Sequence, residues 1–298
     1  MAKTREIKKR IKAVGNIRRI TKTMQMIATS KFARAQAAAT ATKPYTEGLF
    51  ELVTELAATA GDTSHPLISG PEKFAEGATE LTLVITSDRG LCGPYNGSIL
   101  RTTMQHFAKA GVRPPAGLLE LIGKKGAGFM RYNGTPVARQ HTQFGDKPSF
   151  DNVAALAQDY MDRFTSGKIK AVRVIYMKFH SPGKQSPEVL QLLPLKPIAK
   201  SKPAAEAGKV DAGVVYEFSP KAEELLGDLL PATVKATLFQ SFNDAIVSEH
   251  VARMVAMKAA TDNAGKMRKL YTRDYNRARQ AQITTELSEI IAGAAALG

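Results

Sequence analysis

Residues of the types that enzymes use for nucleophilic chemistry occur in one short loop. The segment Ser87–Gly93 reads Ser-Asp-Arg-Gly-Leu-Cys-Gly and follows an apolar run, Leu81–Ile85, which predicts a buried strand. Loops after strands often hold ligands in α/β folds. Cys92 could attack an electrophile there, but catalysis needs a base and an orienting group, and no motif supplies them. We therefore expect a turn with a packed thiol. The structural loop that we assign comprises Asp88, Arg89, Gly90, Leu91, Cys92 and Gly93.

A glycine-rich segment and five histidines are the other candidates for chemistry. Gly123–Gly128 reads Gly-Lys-Lys-Gly-Ala-Gly but lacks the Gly-Lys-Ser/Thr ending that cradles phosphates, so we expect a surface strand-to-helix turn. The histidines lack metal-ligand spacing: His65, His106, His141, His180 and His250. We predict no cofactor, no metal and no catalytic residue.

The two ends of the chain predict very long helices. There is no proline from Ala2 to Lys43 or from Ala232 to Leu297. Such spans allow helices of roughly 60 and 90 Å, whereas a globular domain of this length is about 35–45 Å across. Each has a narrow apolar stripe that must be covered. The stripes are Ile7, Ile11, Val14, Ile17, Ile20, Met24 and Ile27, and Val251, Met254, Met257, Ala264, Met267, Tyr271, Tyr275, Ala278, Ile283, Leu287 and Ile290.

In the simplest arrangement, the two terminal helices pack against each other, so that each apolar stripe is covered by the stripe of the other helix. It predicts an α+β fold: a long antiparallel coiled coil of the N- and C-terminal helices, with a Rossmann-like α/β domain inserted between them. Alternating strands and helices in the middle predict a partly parallel sheet with an antiparallel hairpin at Ser181–Gly183. Lys43-Pro44 is expected to end the first helix. The predicted domains are 1–60, 78–220 with a flexible insertion near 196–212, and 231–298.

The net charge of +15 is confined to the ends. Residues 1–43 carry 12 basic and 1 acidic side chains, and residues 250–298 carry 8 and 4, whereas 44–249 carries 22 of each. A partner of the terminal helices should therefore present acidic groups. One cysteine forms no disulfide framework, and no apolar run approaches the roughly 20 residues of a membrane span.

Three segments, in chain order, resemble the γ subunit of bacterial-type F-type ATP synthases. The first runs from Arg5-Glu-Ile-Lys through Ile20-Thr-Lys-Thr-Met24-Gln-Met-Ile-Ala to Ser30-Lys, and the second is Ser87–Gly93. The third includes Ala252-Arg-Met-Val-Ala-Met-Lys, Tyr275-Asn-Arg-Ala-Arg-Gln-Ala-Gln-Ile-Thr and Glu289-Ile-Ile-Ala-Gly. The resemblance covers essentially the whole chain. The paired cysteines of the redox-regulated chloroplast form are absent.

The resemblance implies the central rotor stalk of a proton-translocating F1Fo ATP synthase, which couples c-ring rotation to conformational changes in the α/β hexamer. The subunit would be non-catalytic, although the complex synthesises or hydrolyses ATP. The implied partners are the α and β subunits, ε and the c-ring, with an inhibitory subunit as a further candidate. The implied place is the cytoplasmic side of the bacterial inner membrane, peripheral to the bilayer. The positions that match contacts to β are Met24, Arg253, Arg279, Gln280, Thr284 and Glu286.

Two other classes stay open at this stage. A basic coiled-coil protein that binds nucleic acid would show steeply salt-dependent binding to duplexes. An enzyme that uses the Ser87–Gly93 loop would need a convergent base and orienting group in the middle domain. Co-purification separates the three, because only the rotor requires α, β and ε in the eluate.

Overall fold

The computed structural model describes residues 2–59, 65–145, 147–195 and 222–297. The chain forms two compact units. The first unit comprises Met1–Lys31, Leu91–Gly93 and His250–Gly298, and the second comprises Phe32–Gly90 and Pro94–Glu249. We refer to them as the helix-pair unit and the α/β unit.

The helix-pair unit is built from parts of two very long helices, α1 (Ala2–Thr59) and α6 (Ala222–Leu297). The hydroxyl of Thr4 donates to Oε1 of Gln282 at 3.0 Å, and the hydroxyl of Thr261 donates to that of Thr21 at 2.8 Å. Contacts that move down one helix as they move up the other define an antiparallel pair. The predicted antiparallel coiled coil is confirmed.

The seam between these helices differs in part from the predicted stripes. It contains small side chains, including buried Val14, Ala28, Thr261 and Ala264, and half-buried Gly265. The stripe prediction was wrong for seven large apolar residues, which are exposed: Ile17, Ile20, Ile27, Met267, Ile283, Leu287 and Ile290. A second apolar row lies beside the seam, and small seam residues let the backbones approach closely. The larger side chains are therefore left outside.

Both helices continue through prolines that were expected to lie at or beyond their ends. α1 passes Pro44 and ends at Thr59, and α6 begins at Ala222 and passes Pro231. An internal proline costs about 3 kcal/mol because it removes a backbone donor. Tertiary packing offsets that cost, since Leu49 and Leu56 are buried after Pro44, and Leu230 and Val234 are buried around Pro231.

The α/β unit contains a five-stranded sheet in the order β3-β2-β1-β4-β5. The strands are β1 (Thr79–Ile85), β2 (Leu118–Ile122), β3 (Arg139–His141), β4 (Ile169–Ser181) and β5 (Lys184–Leu193). The first four are mutually parallel, and β5 pairs antiparallel with β4. The connecting helices are α2 (Pro66–Ser69), α3 (Tyr95–Ala110), α4 (Lys124–Tyr132) and α5 (Phe150–Thr165).

This unit confirms the expected partly parallel sheet and its terminal hairpin. The sequence patterns missed β3, which is only three residues long, and α4, whose two glycines and tyrosine are poor helix formers. The central core brings together residues of β1, α5 and the start of α6, such as Leu83, Tyr160 and Leu230, all completely buried. The second part of α6 in this unit continues that core through Phe242 and Ala245.

The predicted insertion near 196–212 lies outside the described residues. The boundaries 1–60, 78–220 and 231–298 stay a prediction. No helix in the described ranges is both long and apolar enough to cross a bilayer.

Candidate functional site

The Ser87–Gly90 part of the candidate loop is held by hydrogen bonds of a structural kind. The Asn96 side chain accepts from the Ser87 backbone N–H at 3.0 Å and donates to the Ser87 hydroxyl at 2.7 Å. That hydroxyl donates to the carbonyl of Arg89 at 2.7 Å. Asp88, although exposed, accepts from the Lys124 backbone N–H at 3.0 Å. The loop residues thus stabilise one another and the start of α4.

The remaining loop residues, Leu91–Gly93, belong to the helix-pair unit. Leu91 is exposed and has a positive φ of 64°, which a β-carbon disfavours. Cys92 is a free thiol with 2 % of its surface exposed. A Cβ on Gly93 would lie 3.7 Å from that of Ala256 on α6, so the segment runs close to this helix. A buried thiol fits the expected packed turn.

The Gly123–Gly128 segment has no free cradle for a phosphate. Helix α4 begins there, and its first backbone N–H groups already have acceptors: Asp88 for Lys124, the Ser87 carbonyl for Lys125 and the Thr86 hydroxyl for Gly126. A helix N-terminus binds anions only through unused N–H groups. The predicted strand-to-helix turn is correct, but only Gly128 lies at the surface. Gly123 and Gly126 are buried, because they pack against Thr86.

Helix α6 occupies the part of the sheet where doubly wound folds usually bind ligands. The strand order reverses between β1 and β4, and the crevice at their carboxyl ends is the usual ligand position. The Ser248 hydroxyl donates to the carbonyl of Met177 in β4 at 3.2 Å. The hydroxyl of buried Tyr95, at the start of α3, donates to the carbonyl of Ala245 at 3.0 Å. The crevice is therefore filled by the protein's own helix.

A buried carboxylate cluster is the strongest electrostatic feature of the α/β unit. Glu120 of β2 is 2 % exposed and accepts from the Tyr160 hydroxyl at 2.8 Å and from Arg163 at 2.8 Å. Its Oε2 also lies 2.7 Å from Nε2 of buried His141. Burial alone would raise the pKa of Glu120, but hydrogen bonds from His141, Arg163 and Tyr160 lower it to about 2. The cluster ties β2 and β3 to α5.

No pattern in the sequence indicated this cluster. Glu120 and His141 are 21 residues apart, and Tyr160 is 40 from Glu120, so no short motif joins them. A charged residue inside the apolar run Leu118–Ile122 was the one available signal, because an unpaired buried carboxylate is costly. Both carboxylate oxygens of Glu120 have hydrogen-bond partners within the fold, so the cluster stabilises the structure. The described residues contain no group of three or more His, Cys, Asp or Glu arranged to hold a metal.

A second polar cluster surrounds Asp244 on α6. Gln240 donates to its carboxylate at 2.9 Å, and Asp244 is 8 % exposed. Burial raises the pKa of Asp244 to about 6, against the opposing effects of Gln240, Lys178, the Phe179 backbone N–H and Lys43. The pKa of Tyr176 is also raised, first by burial and then by Glu188 and Asp244. This carboxylate changes charge near neutral pH.

The predicted contacts to a β subunit lie on the helices of the helix-pair unit. On α1, Met24 is half-buried, whereas neighbouring Met26 is 60 % exposed. Arg253 on α6 is half-buried and has a partner within the chain. Exposed positions near the end of α6 are Arg279, Gln280, Thr284 and Glu286. The Thr284 hydroxyl donates to the Gln280 carbonyl, and Glu286 accepts from Gln282.

The described outer surface of this helix pair is basic and apolar together. Exposed cations of α1 include Arg5, Lys8, Lys9, Arg10, Lys12, Arg18, Arg19 and Lys22. The apolar part includes Ile17, Ile20, Met26 and Ile27 on α1, and Leu270, Ile283, Leu287, Ile290 and Ile291 on α6, each at least 47 % exposed. Apolar rows of this length are normally covered by a partner. This surface is the candidate functional site.

Comparison with known proteins defines the class of the chain. The family model described as ATP synthase matches residues 3–297. The ATP synthase gamma chain of Rhodopirellula baltica is 41 % identical over 100 % of this chain and 99 % of its own length. That of Leptospira biflexa is 37 % identical, with 100 % of both chains covered. The chain belongs to the ATP synthase gamma chain family.

Solved structures show the same fold. The rotor of the Euglena gracilis mitochondrial ATP synthase superposes with a TM-score of 0.62 at 19 % identity, covering 95 % of this chain and 99 % of that one. The central stalk and c-ring structure of the Tetrahymena thermophila enzyme gives a TM-score of 0.57 at 20 % identity, covering 81 % and 99 %. At this identity the likeness concerns the fold.

Proposed function

We propose that the chain is the rotor stalk of a proton-translocating F1Fo ATP synthase, in which it couples c-ring rotation to the catalytic sites of the α/β hexamer. The observation that carries this proposal is the full-length relationship to ATP synthase gamma chains. The exposed basic and apolar surface of the helix pair supports it, because a rotor shaft must present such a surface to the subunits around it. Nothing in the comparisons supports the nucleic-acid alternative.

The mechanism follows from the shape of a two-helix rod. A pair of helices has no threefold axis, so three chemically identical sites around it meet three different faces. Each face can favour a different conformation only through a difference in contact free energy. Shifting a site from about 1 % to 99 % closed takes about 5.5 kcal/mol. Many modest contacts spread along the shaft can supply that difference, as the long exposed rows of α1 and α6 allow.

Within this function we assign contacts to β to Met24, Arg253, Arg279, Gln280, Thr284 and Glu286. The cationic surface of α1 is suited to an acidic partner segment, because opposite charges steer association. Arg10 of this surface pairs with Glu6 at the preceding turn, and Glu6 and Tyr271 raise the pKa of its guanidinium. We further assign ε and the c-ring as partners of the stalk, and an inhibitory subunit as a candidate partner.

The subunit itself is proposed to be non-catalytic and without a cofactor. The filled crevice at β1 and β4 and the occupied N–H groups of α4 support this assignment, because neither offers a place for a substrate. We place the complex at the cytoplasmic side of a bacterial inner membrane, with this chain peripheral to the bilayer.

Reconstitution tests the proposal directly. The full chain is mixed with α and β subunits of the same complex, and rotation is followed with a bead attached through an added cysteine. ATP-driven, unidirectional rotation is expected. If the chain does not bind α and β subunits, the rotor function is refuted. Binding of the chain to duplex nucleic acid in place of these subunits would refute it as well.

A further inference from the structure

The charges of the α/β unit are separated between the two sides of its sheet. From Ser87 to Gly145 the chain has eight basic residues and two acidic ones, buried Glu120 and exposed Asp88, which accepts from the Lys124 backbone N–H. Helix α5 has the opposite bias, with three aspartates and one arginine. The balance of 22 basic and 22 acidic residues over 44–249 therefore conceals a strongly basic region.

Topology brings this basic region together. Helices α3 and α4 connect β1 to β2 and β2 to β3, and both crossovers move across the sheet in the same direction. Right-handed crossovers then place both helices on one face, where they contact each other. The outer side of this layer carries six exposed cations, which we call the basic face: Arg101, Lys109, Arg113, Lys124, Lys125 and Arg131.

Among the described residues, no carboxylate forms an ion pair with a side chain of the basic face. The ion pairs of the described residues involve other arginines and lysines of this unit, such as Arg139, Arg163 and Arg173. Within those residues, none of the six has a carboxylate at ion-pair distance. Six unpaired cations repel one another and gain free energy when an acidic surface approaches.

One aromatic side chain marks an end of this surface. Tyr132, the last residue of α4, is 89 % exposed and follows Arg131 directly. Tyrosine and arginine are among the residue types enriched at energetic centres of protein interfaces. In the described residues of α3 and α4, Tyr132 is the only large hydrophobic side chain that is exposed. A lipid surface would be expected to take several such anchors.

We propose that the basic face is a docking surface for an acidic, folded protein, with Arg131 and Tyr132 as its anchor. Helix α3 has 16 residues and α4 has 9, so they are roughly 24 and 14 Å long and, at about 10 Å in width each, offer roughly 400 Å². That area is of the order of one partner's share in a modest protein interface. The basic face shares no residue with the contacts to β proposed for the helix-pair unit, and it adds a partner site to the proposed function.

Photocrosslinking in the assembled complex tests the proposal. Tyr132 is replaced by p-benzoylphenylalanine, and Tyr45, which is 60 % exposed on α1, is replaced in the same way as the control position. Mass spectrometry should identify an Asp- and Glu-rich peptide of another subunit linked at position 132. Raising NaCl from 50 to 500 mM before irradiation should lower that yield about tenfold and leave the yield at position 45 within about twofold.

Charge reversal supplies the second arm. R101E/K109E/R131E should lower crosslinking at position 132 about tenfold. The matched control K147E/K168E/K184E reverses three exposed cations outside the basic face and should change the crosslinking yield at position 132 less than twofold.

Anionic-lipid vesicles and a DNA duplex serve as competing probes. Crosslinks to lipid or nucleic acid alone, crosslinks to a peptide without acidic residues, or no crosslink at position 132 would overturn the proposal. Retention of α and β by the wild-type chain reports separately on the rotor function.

Discussion

At the scale of single residues, Asp244 contributes a dependence of stability on pH that is the opposite of the usual one for carboxylates. Its folded-state pKa of about 6 lies above the ordinary 3.8. The protonated form is therefore favoured by the fold, and this contribution is complete below about pH 4 and is lost as pH rises through about 6. A shift of this size corresponds to at most about 3 kcal/mol.

We predict that Asp244→Asn is more stable than wild type at pH 8 and close to it at pH 3.5. The gain at pH 8 should be about 1–3 kcal/mol, because the cost of burying the charge disappears. Urea denaturation of the full chain at several pH values measures the difference. Asp151→Asn, an exposed change on α5, serves as the control and should show no such trend. Equal pH profiles for D244N and wild type would contradict the prediction.

Glu120 behaves in the opposite sense. Its folded-state pKa of about 2 is below the ordinary 4.5, so its contribution is present above about pH 4.5 and is lost as pH falls through 2. Glu120→Gln should destabilise the protein by about 3 kcal/mol at pH 7, because it leaves Arg163 and His141 without their carboxylate.

Thermal unfolding of the full chain at pH 7 tests this expectation. Glu76→Gln, at an exposed position, is the matched control and should change the free energy of unfolding by less than about 0.5 kcal/mol. An E120Q protein that unfolds with the wild-type midpoint would show that the cluster contributes no net stability.

Local patterns reveal isolated residues better than clusters. The burial of Cys92 could be anticipated from its turn, since a loop rich in glycine packs a small thiol easily. The Glu120 cluster could not, because its members come from β2, β3 and α5 and meet only after the sheet has formed. The basic face could not be anticipated either, because its cations come together only in the folded sheet. The equal number of basic and acidic residues over 44–249 sums the charges of both sides of that sheet.

At the scale of elements, the turn into α4 depends on a close approach of two backbones. A Cβ on Gly123 would lie 2.2 Å from the carbonyl oxygen of Thr86, and Gly123 has a φ of +92°. Gly128, in the same helix, is exposed and has nothing within 4 Å of its Cβ position. The two glycines of one segment thus have different roles.

We predict that Gly123→Ala destabilises the α/β unit by more than about 3 kcal/mol, because both the contact and the dihedral angle are unfavourable. Gly128→Ala should stabilise the protein by up to about 1 kcal/mol, because alanine is the better helix former. Urea midpoints of the two full-length variants provide the comparison. The same effect for both variants would refute the role assigned to Gly123.

Elements with a strong local pattern were predicted closely, and those decided by packing were not. β2 was expected and found at Leu118–Ile122, because an apolar run between turns has few alternatives. Pro44 and Pro231 were expected to delimit helices, but the buried faces of α1 and α6 carry both helices through them. The seam was misjudged at Ile17 and Ile20, since two apolar rows compete and only the partner helix decides between them.

At the scale of the whole molecule, the end of α6 has a surface that no described part of the chain covers. The outermost described bond across the helix pair joins Thr4 to Gln282. From Ile283 to Ala295 every residue is exposed, although this stretch includes Leu287, Ile290 and Ile291. The segment therefore adds little to the stability of the isolated chain. Under the proposed rotor function, the segment contributes free energy to the assembled complex by burying apolar surface against partner subunits.

Truncation after Glu286 separates the contribution of this segment to the stability of the isolated chain from its contribution to contacts with partner subunits. In the isolated chain, the midpoint of thermal unfolding should change by less than about 2 °C, because every removed side chain up to Ala295 is exposed. In the reconstituted complex, the shaft should still rotate with ATP, since the seam from Thr4 to Gln282 is intact, but torque and complex lifetime should fall severalfold.

A control that ends at Ala294 removes few apolar contacts and should resemble wild type. Complete loss of rotation would show that residues beyond Glu286 transmit torque, and a large loss of stability in the isolated chain would show that they pack within it.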